Sequence, residues 1–420
     1  MKIFKFGGAS VKDAQSVRNV VNILERYDKD QLFVVLSAMG KNTNELEMIV
    51  QERFFGNDVT ELLDAFKERQ CSIARALIPE HSKNIILPAI GKLLTEIDRI
   101  LLQRDSFCDF DAFYDSVVSF GEVLSTQIMH QYLNYCGKEN VVINAFDWVK
   151  TDDYFRFAKV DMESSSKKLR EAIRKNNGKK IFLTQGFIGA NEKGYPTTLG
   201  REGSDYTAAL AGAILEAESV TVWKDVPGLL NADPKRMENL QKINRISYRE
   251  AIELAYYGAK VIHPKTIKPI ENKSIPLYIK SFLDTDSEGT LIHHTCDCDD
   301  SVPFFIFHEN QMLVSISVKD MSFVTEESLH HTFGILNRFR IRIHLMQISA
   351  VSFSICIDND KSHCKELIQT LQKDYTVKYN TDLELISIRH YHNVDIEEFM
   401  KDREILLEQR SRSIAQFVVR

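Results

Sequence analysis

Strand-length apolar runs alternate with helical patterns through the first two thirds of the chain. "KIFKF" comes first, then a helical pattern over 13–27, then "QLFVVLSA", then a long, mostly helical region from Thr43 to Tyr135. The alternation resumes with "NVVINA", a helix over 164–176, "KIFLTQGF", a helix after Ser204, "VTVWKDV", a helix over 248–257 and "IPLYIKSF". Strands separated by helices, with little room for hairpins, predict an α/β fold: a mainly parallel sheet with helices on both faces, a three-layer αβα arrangement.

The pattern changes after Gly289. "EGTLIHHTCDCDDSVP" reads as a polar linker, and shorter units follow it. "MLVSISV" alternates as a half-buried strand, 325–339 is helical, "IRIHLMQI" and "VSFSICI" are strands, 362–373 is helical and "YTVKY" closes the unit. That order is βαββαβ, ferredoxin-like. A shortened second unit comprises "LELISIR", a small helix over 395–401, "EILLEQ" and "IAQFVV". Open strand edges are costly, so the last two strands are expected to pair with "PFFIF" or with another subunit. The predicted division is therefore 1–292, a linker with an edge strand over 293–310, then 311–381 and 382–420.

Composition narrows the function classes. The 420 residues carry a formal net charge of −6 and no Lys/Arg-rich stripe, which argues against a nucleic-acid partner. No apolar run approaches the ~20 residues needed to cross a bilayer, and "MKIFKFGGAS" is a strand rather than a signal peptide. The seven scattered cysteines suit reduced thiols, so a cytoplasmic location is expected, with no membrane association. His293, His294, Cys296 and Cys298 crowd together, but Cys-x-Cys lacks common zinc spacing, and a polar loop is expected.

The candidate chemistry sits where strands end. "KFGGAS" places Lys5, Gly7 and Gly8 between a strand and a helix start, a geometry that cradles phosphate or makes a plain tight turn. "LSAMGKNTNEL" presents Ser37 and Thr43, hydroxyls that bind a ligand or cap a helix. In "SFGEVLSTQIM", Glu122 stands among apolar helix positions, where a carboxylate needs a cationic partner. "TLGREGSDYTAAL" puts Arg201, Ser204 and Asp205 at a helix start, a site for an anion. "WKDVPGLLNADPK" supplies Lys224, Asp225, Leu230 and Lys235, and "GAKVIHP" supplies Lys260.

Together, in this order from Met1 to about Ile292, these motifs resemble the amino acid kinase family, and within it the aspartokinases. The resemblance implies ATP-dependent phosphorylation of the β-carboxylate of L-aspartate to 4-phospho-L-aspartate, with Mg²⁺ bound mainly through the ATP phosphates and no metal site on the protein. It places Lys5 and Asp205 at the phosphoryl-transfer centre. Ser37, Thr43, Glu122, Phe187, Arg201 and Ser204 would hold aspartate. Lys5, Gly7, Gly8, Lys224, Asp225, Leu230, Lys235 and Lys260 would surround the nucleotide. A sibling kinase acting on glutamate, acetylglutamate or a nucleotide is one alternative, and a non-catalytic amino-acid sensor another.

The C-terminal region resembles a pair of ACT domains, which implies a homodimer through that region and an amino-acid effector. With no GxGxxG-bearing domain before Arg420, a monofunctional chain is expected. Three departures from the family pattern stand out. Glu202 follows Arg201 where relatives have a small residue, and is expected to face solvent. Lys224 replaces a threonine, and Leu230 and Asn231 replace an aromatic residue and a threonine. In the effector region, Glu327 stands at a glycine position and His344 at an aspartate position, so weak or absent lysine inhibition is expected.

Overall fold

The computed structural model describes residues 1–78, 83–107, 109–259, 262–295, 302–320 and 322–420. The chain divides into two compact units: Met1–Leu229 with Lys242–Ile252 and Val261–Cys296, and Leu230–Gln241 with Glu253–Lys260 and Asp297–Arg420.

The first unit is built on an eight-stranded sheet. Its strands in chain order are β1 (Lys2–Phe6), β2 (Leu32–Leu36), β3 (Asn140–Val142), β4 (Ile181–Gln185), β5 (Ser219–Lys224), β6 (Arg245–Ser247), β7 (Leu277–Ser281) and β8 (Thr290–His293). They lie side by side as β6-β8-β7-β5-β1-β2-β4-β3. Every described pairing is parallel except that of β7 with β8.

Both faces of the central strands are covered, so apolar residues run consecutively rather than alternating: Phe33, Val34 and Val35 are all fully buried. Phe4, Phe6, Val34 and Leu36 face one helical layer, which includes α1 (Ala14–Glu25), α2 (Asn42–Phe54), α3 (Phe110–Val118) and α4 (Phe120–Tyr135). Asp13 starts α1 by accepting the N–H of Ser16 at 2.7 Å, the role the sequence gives an aspartate before an apolar helix. On the other face lies the alanine-rich α5 (Gly203–Leu215). A Cβ on Gly212 would lie 2.6 Å from Val220, so glycine lets this helix sit against β5.

Register fixes where a ligand can go. Phe6 is level with Leu36 and Trp223, and Leu36 with Gln185. Four parallel strands therefore release their loops at one edge of the sheet, the position where open α/β sheets bind ligands.

The second unit holds a six-stranded antiparallel sheet of β9 (Phe304–Val318), β10 (Ile343–Ile348), β11 (Ser352–Asp358), β12 (Tyr375–Arg389), β13 (Ile405–Arg410) and β14 (Ile414–Val419). The order is β10-β11-β9-β12-β14-β13. With α6 (Glu326–Arg338) and α7 (Lys361–Asp374), the run β9-α6-β10-β11-α7-β12 is the expected βαββαβ. Val314, Ile316, Ile355 and Ile357 pack with Leu336, Leu367 and Leu371 from the two helices. The segment "PFFIF" pairs with Ile386–Arg389 of "LELISIR", not with "EILLEQ" or "IAQFVV". "IAQFVV" pairs instead with the other side of "LELISIR", and "EILLEQ" pairs with "IAQFVV".

Candidate active site

A cavity of about 600 Å³ opens at the carboxyl ends of β1, β2, β4 and β5. Alternation along β1 decides what faces it: Phe4 and Phe6 point into the helical layer beneath, so Lys5 points the other way, where α5 begins. Its Nζ meets Asp205 Oδ1 at 2.6 Å, and Lys224 Nζ, at the end of β5, lies 3.6 Å from Asp205 Oδ2. A Cβ on Gly8 would lie 2.8 Å from the Ala38 carbonyl and 2.9 Å from that of Gly40. Only glycine lets the loops after β1 and β2 touch, and Gly40 N donates to Gly8 O at 3.0 Å.

Asp205 is 2 % exposed. Burial pushes its carboxyl up, but the ammonium groups of Lys5 and Lys224 outweigh that and hold it below its ordinary value. Glu122 is the reverse. It is buried at the start of α4, where Ala38 N donates to its Oε1 at 3.3 Å, and among the described residues its Oε2 has no hydrogen-bond partner. Burial pushes its pKa up to about 8, against the weaker pull of the Ala38 N–H, its own backbone N–H and the Lys5 charge. A buried carboxylate with an open oxygen is a place for a cation.

The back wall is organised by a residue the motifs did not single out. Asp115, on α3, is fully buried. Its Oδ2 accepts from Arg156 N and Thr198 N, both at 2.9 Å, and its Oδ1 from Thr198 Oγ1 at 2.7 Å. Burial raises its pKa to about 6, against those three hydrogen bonds.

Three non-glycine residues on this cavity have left-handed backbone: Arg156 at φ 65°, Phe187 at φ 67° and Glu202 at φ 54°. Each costs about 1–2 kcal/mol, and such strain gathers where side chains must be aimed. Glu202 was expected to face solvent. It lines the cavity instead, with Oε2 buried and, among the described residues, without a hydrogen-bond partner, because the left-handed turn before α5 swings its side chain inward.

Lys5, Gly8, Ser37, Thr43, Glu122, Phe187, Arg201, Ser204, Asp205 and Lys224 all line this one cavity. Arg201 is exposed at its mouth. Gly7 caps the short 3₁₀ turn Gly8–Val11 beside Lys5, and Asp225 is exposed; neither lines the cavity. Leu230 and Lys235 belong to the second unit, where Lys235 is exposed and donates its N–H to Asp233. Lys260 lies outside the described residues. Of the His/Cys group, His293 ends β8, His294 is exposed, and Cys296 and Cys298 lie outside the described residues.

Residues 1–281 match the family described as the amino acid kinase family. Over 373 residues the chain is 34 % identical to lysine-sensitive aspartokinase 3 of Escherichia coli, covering 86 % of this chain and 79 % of that protein. It is 30 % identical over 397 residues to aspartokinase 1, chloroplastic, of Arabidopsis thaliana, covering 92 % and 68 %. The crystal structure of E. coli aspartokinase III in complex with aspartate and ADP superposes with a TM-score of 0.83 at 28 % identity, over 100 % of this chain and 96 % of that one. With its sheet, its strand-end cavity and these similarities taken together, the chain belongs to the aspartokinases of the amino acid kinase family.

Proposed function

We infer that the chain transfers the γ-phosphoryl group of ATP to the β-carboxylate of L-aspartate, giving 4-phospho-L-aspartate and ADP, the first step toward lysine, threonine, methionine and diaminopimelate. One observation carries the reading: Glu122, buried with an open oxygen, shares a cavity with Arg201 and with the Lys5–Asp205–Lys224 cluster. An amino acid needs an anion for its ammonium and a cation for its carboxylate, and a transferring phosphoryl group needs cations.

In this assignment Glu122 takes the substrate ammonium, Arg201 the α-carboxylate, and Ser37, Thr43 and Ser204 the remaining polar contacts. Phe187 walls the substrate. The β-carboxylate is ionised near pH 7, so no general base is required. Its oxygen forms the new bond to phosphorus as the bond to the ADP oxygen breaks. Lys5 follows the negative charge through transfer, with Asp205 holding its ammonium in place. Gly7, Gly8, Lys224 and Asp225 are assigned to the nucleotide. Mg²⁺ would neutralise charge on the ATP phosphates. The donor set fits a metal held through those phosphates, since Asp205 is already engaged by two lysines.

The division into a catalytic domain over 1–292, a linker over 293–310 and two ACT-like units over 311–381 and 382–420 belongs to the same proposal. So does a homodimer formed through the ACT-like region, which the exposed Phe323, Phe333 and Ile348 of the second unit support. A cytoplasmic site of action suits the free thiols of Cys71, Cys136, Cys356 and Cys364. No described helix is long and apolar enough to cross a membrane.

ADP release tests the function. With MgATP, aspartate should support turnover, and glutamate, N-acetylglutamate and UMP should not; turnover with one of those three and none with aspartate would refute the assignment.

A further inference from the structure

Arg156 plays no part in the assignment above, yet it lines the same cavity as Arg201. It sits in the loop after the short strand Lys150–Thr151. That loop and the one leading to Arg201 are fastened together. Asp115 Oδ2 accepts from both Arg156 N and Thr198 N, and Ala158 N donates to Thr198 O at 3.0 Å. A Cβ on Gly200 would lie 3.3 Å from the Arg156 carbonyl, so the two backbones abut just before Arg201.

The side chain is aimed as deliberately as the backbone. The guanidinium carbon lies 4.4 Å from the centre of the Tyr114 ring, and Tyr114 is itself a wall of the cavity. Among the described residues its side-chain polar contacts are long: Asp111 at 3.4 Å and Glu47 at 3.7 Å. A guanidinium carries five N–H donors in a planar fork suited to a carboxylate, and these two contacts leave most of that capacity open. Lys5 and Lys224 are meanwhile engaged by Asp205.

We propose that Arg156 is a specificity-determining residue that binds the non-reacting α-carboxylate of the substrate beside Arg201. The inference rests on aspartate being the substrate. Asp115 then has a defined role as the positioning residue that fastens both arginine-bearing loops.

The backbone supplies a clean variant. Arg156→Gly keeps the N–H that Asp115 accepts and removes the strain of a left-handed non-glycine residue, so the thermal midpoint should stay level or rise. Aspartate KM should rise at least tenfold, with ATP KM within twofold of wild type. The preference for aspartate over its α-amide, measured as kcat/KM, should fall at least fivefold, because the lost partner of the α-carboxylate is what told the two apart. Arg156→Lys, which keeps the charge without the planar fork, should fall between. Wild-type enzyme that ignores aspartate would remove the functional reading and this inference together. Wild-type turnover with an unchanged aspartate KM in Arg156→Gly would overturn the inference alone, as would a raised KM with an unchanged α-amide preference. Should the glycine variant not fold, an unchanged α-amide preference in Arg156→Lys is the overturning result.

Discussion

The Lys5 ammonium lies 2.6 Å from Asp205 Oδ1, with the lysine side chain 10 % exposed and the aspartate 3 %. A buried pair this close orders the lysine before substrate arrives, and Lys224 at 3.6 Å adds a second, looser cation. Lys5→Ala should therefore lower kcat by a factor on the order of 10²–10³, as removal of a preorganised transition-state donor does, with aspartate KM little changed. Steady-state kinetics in both substrates decide it. A loss confined to aspartate KM would place Lys5 at the wrong end of the cavity.

Glu122 predicts a pH effect on binding. Burial pushes its pKa up to about 8, so without an ammonium beside it the group is largely protonated near pH 7. An ammonium beside it favours the charged form, so aspartate binding expels a proton. Affinity is then full above about pH 8 and weakens by up to tenfold per unit below it. Glu122→Gln should raise aspartate KM at least tenfold and flatten that dependence. Stability moves the opposite way. The folded pKa lies above the ordinary 4.5, so the contribution of Glu122 is fully present below about pH 4.5 and is lost as pH rises through about 8. The melting temperature of Glu122→Gln relative to wild type should climb across that window, and calorimetry that finds no such trend would contradict the assignment.

Asp115 accepts three hydrogen bonds in a fully buried setting. Asp115→Ala leaves those donors unsatisfied and should destabilise the protein by about 3 kcal/mol or more. Asp115→Asn should restore most of this. Its oxygen can take both backbone N–H groups, and its amide can donate to Thr198 Oγ1, since a hydroxyl both gives and accepts. Denaturant melts of the pair separate hydrogen-bond geometry from charge: an asparagine variant as unstable as the alanine one would mean that the negative charge itself is required.

The regulatory expectation concerns His344. In the second unit its ring contacts Asp358 at 3.0 Å and lies 4.8 Å from that of His308, and Asp358 also accepts from Gln311 at 2.9 Å. The nearby carboxylate is thus already engaged, and Glu327 adds an exposed negative charge in the first turn of α6. Lysine at millimolar concentration should inhibit weakly or not at all. A titration at sub-saturating aspartate checks this, and strong inhibition abolished by mutating Glu327 or His344 would reverse it.

What the sequence made legible follows from locality. Strand ends, glycine pairs and charges set in apolar runs are local signals, and they single out Lys5, Glu122, Ser204 and Asp205, which line one cavity. Asp115 was hidden because its partners lie 41 and 83 residues away, so nothing beside it in "FYDSVVSF" marks it as the hub of two loops. Arg156 reads as one more surface arginine until its left-handed backbone and the Tyr114 ring are seen. The same holds for Glu202: residue type suggests solvent, and only the backbone angle turns the side chain inward. In the second unit, alternation gave the strands, but not that "PFFIF" would take the flank of "LELISIR".

Trapping the acyl phosphate tests the central claim most directly. Purified protein incubated with MgATP, hydroxylamine and L-aspartate should form aspartyl β-hydroxamate at a rate matching ADP release, with none from glutamate. ADP release without hydroxamate, or hydroxamate from glutamate alone, would contradict phosphorylation of the aspartate β-carboxylate at this cavity.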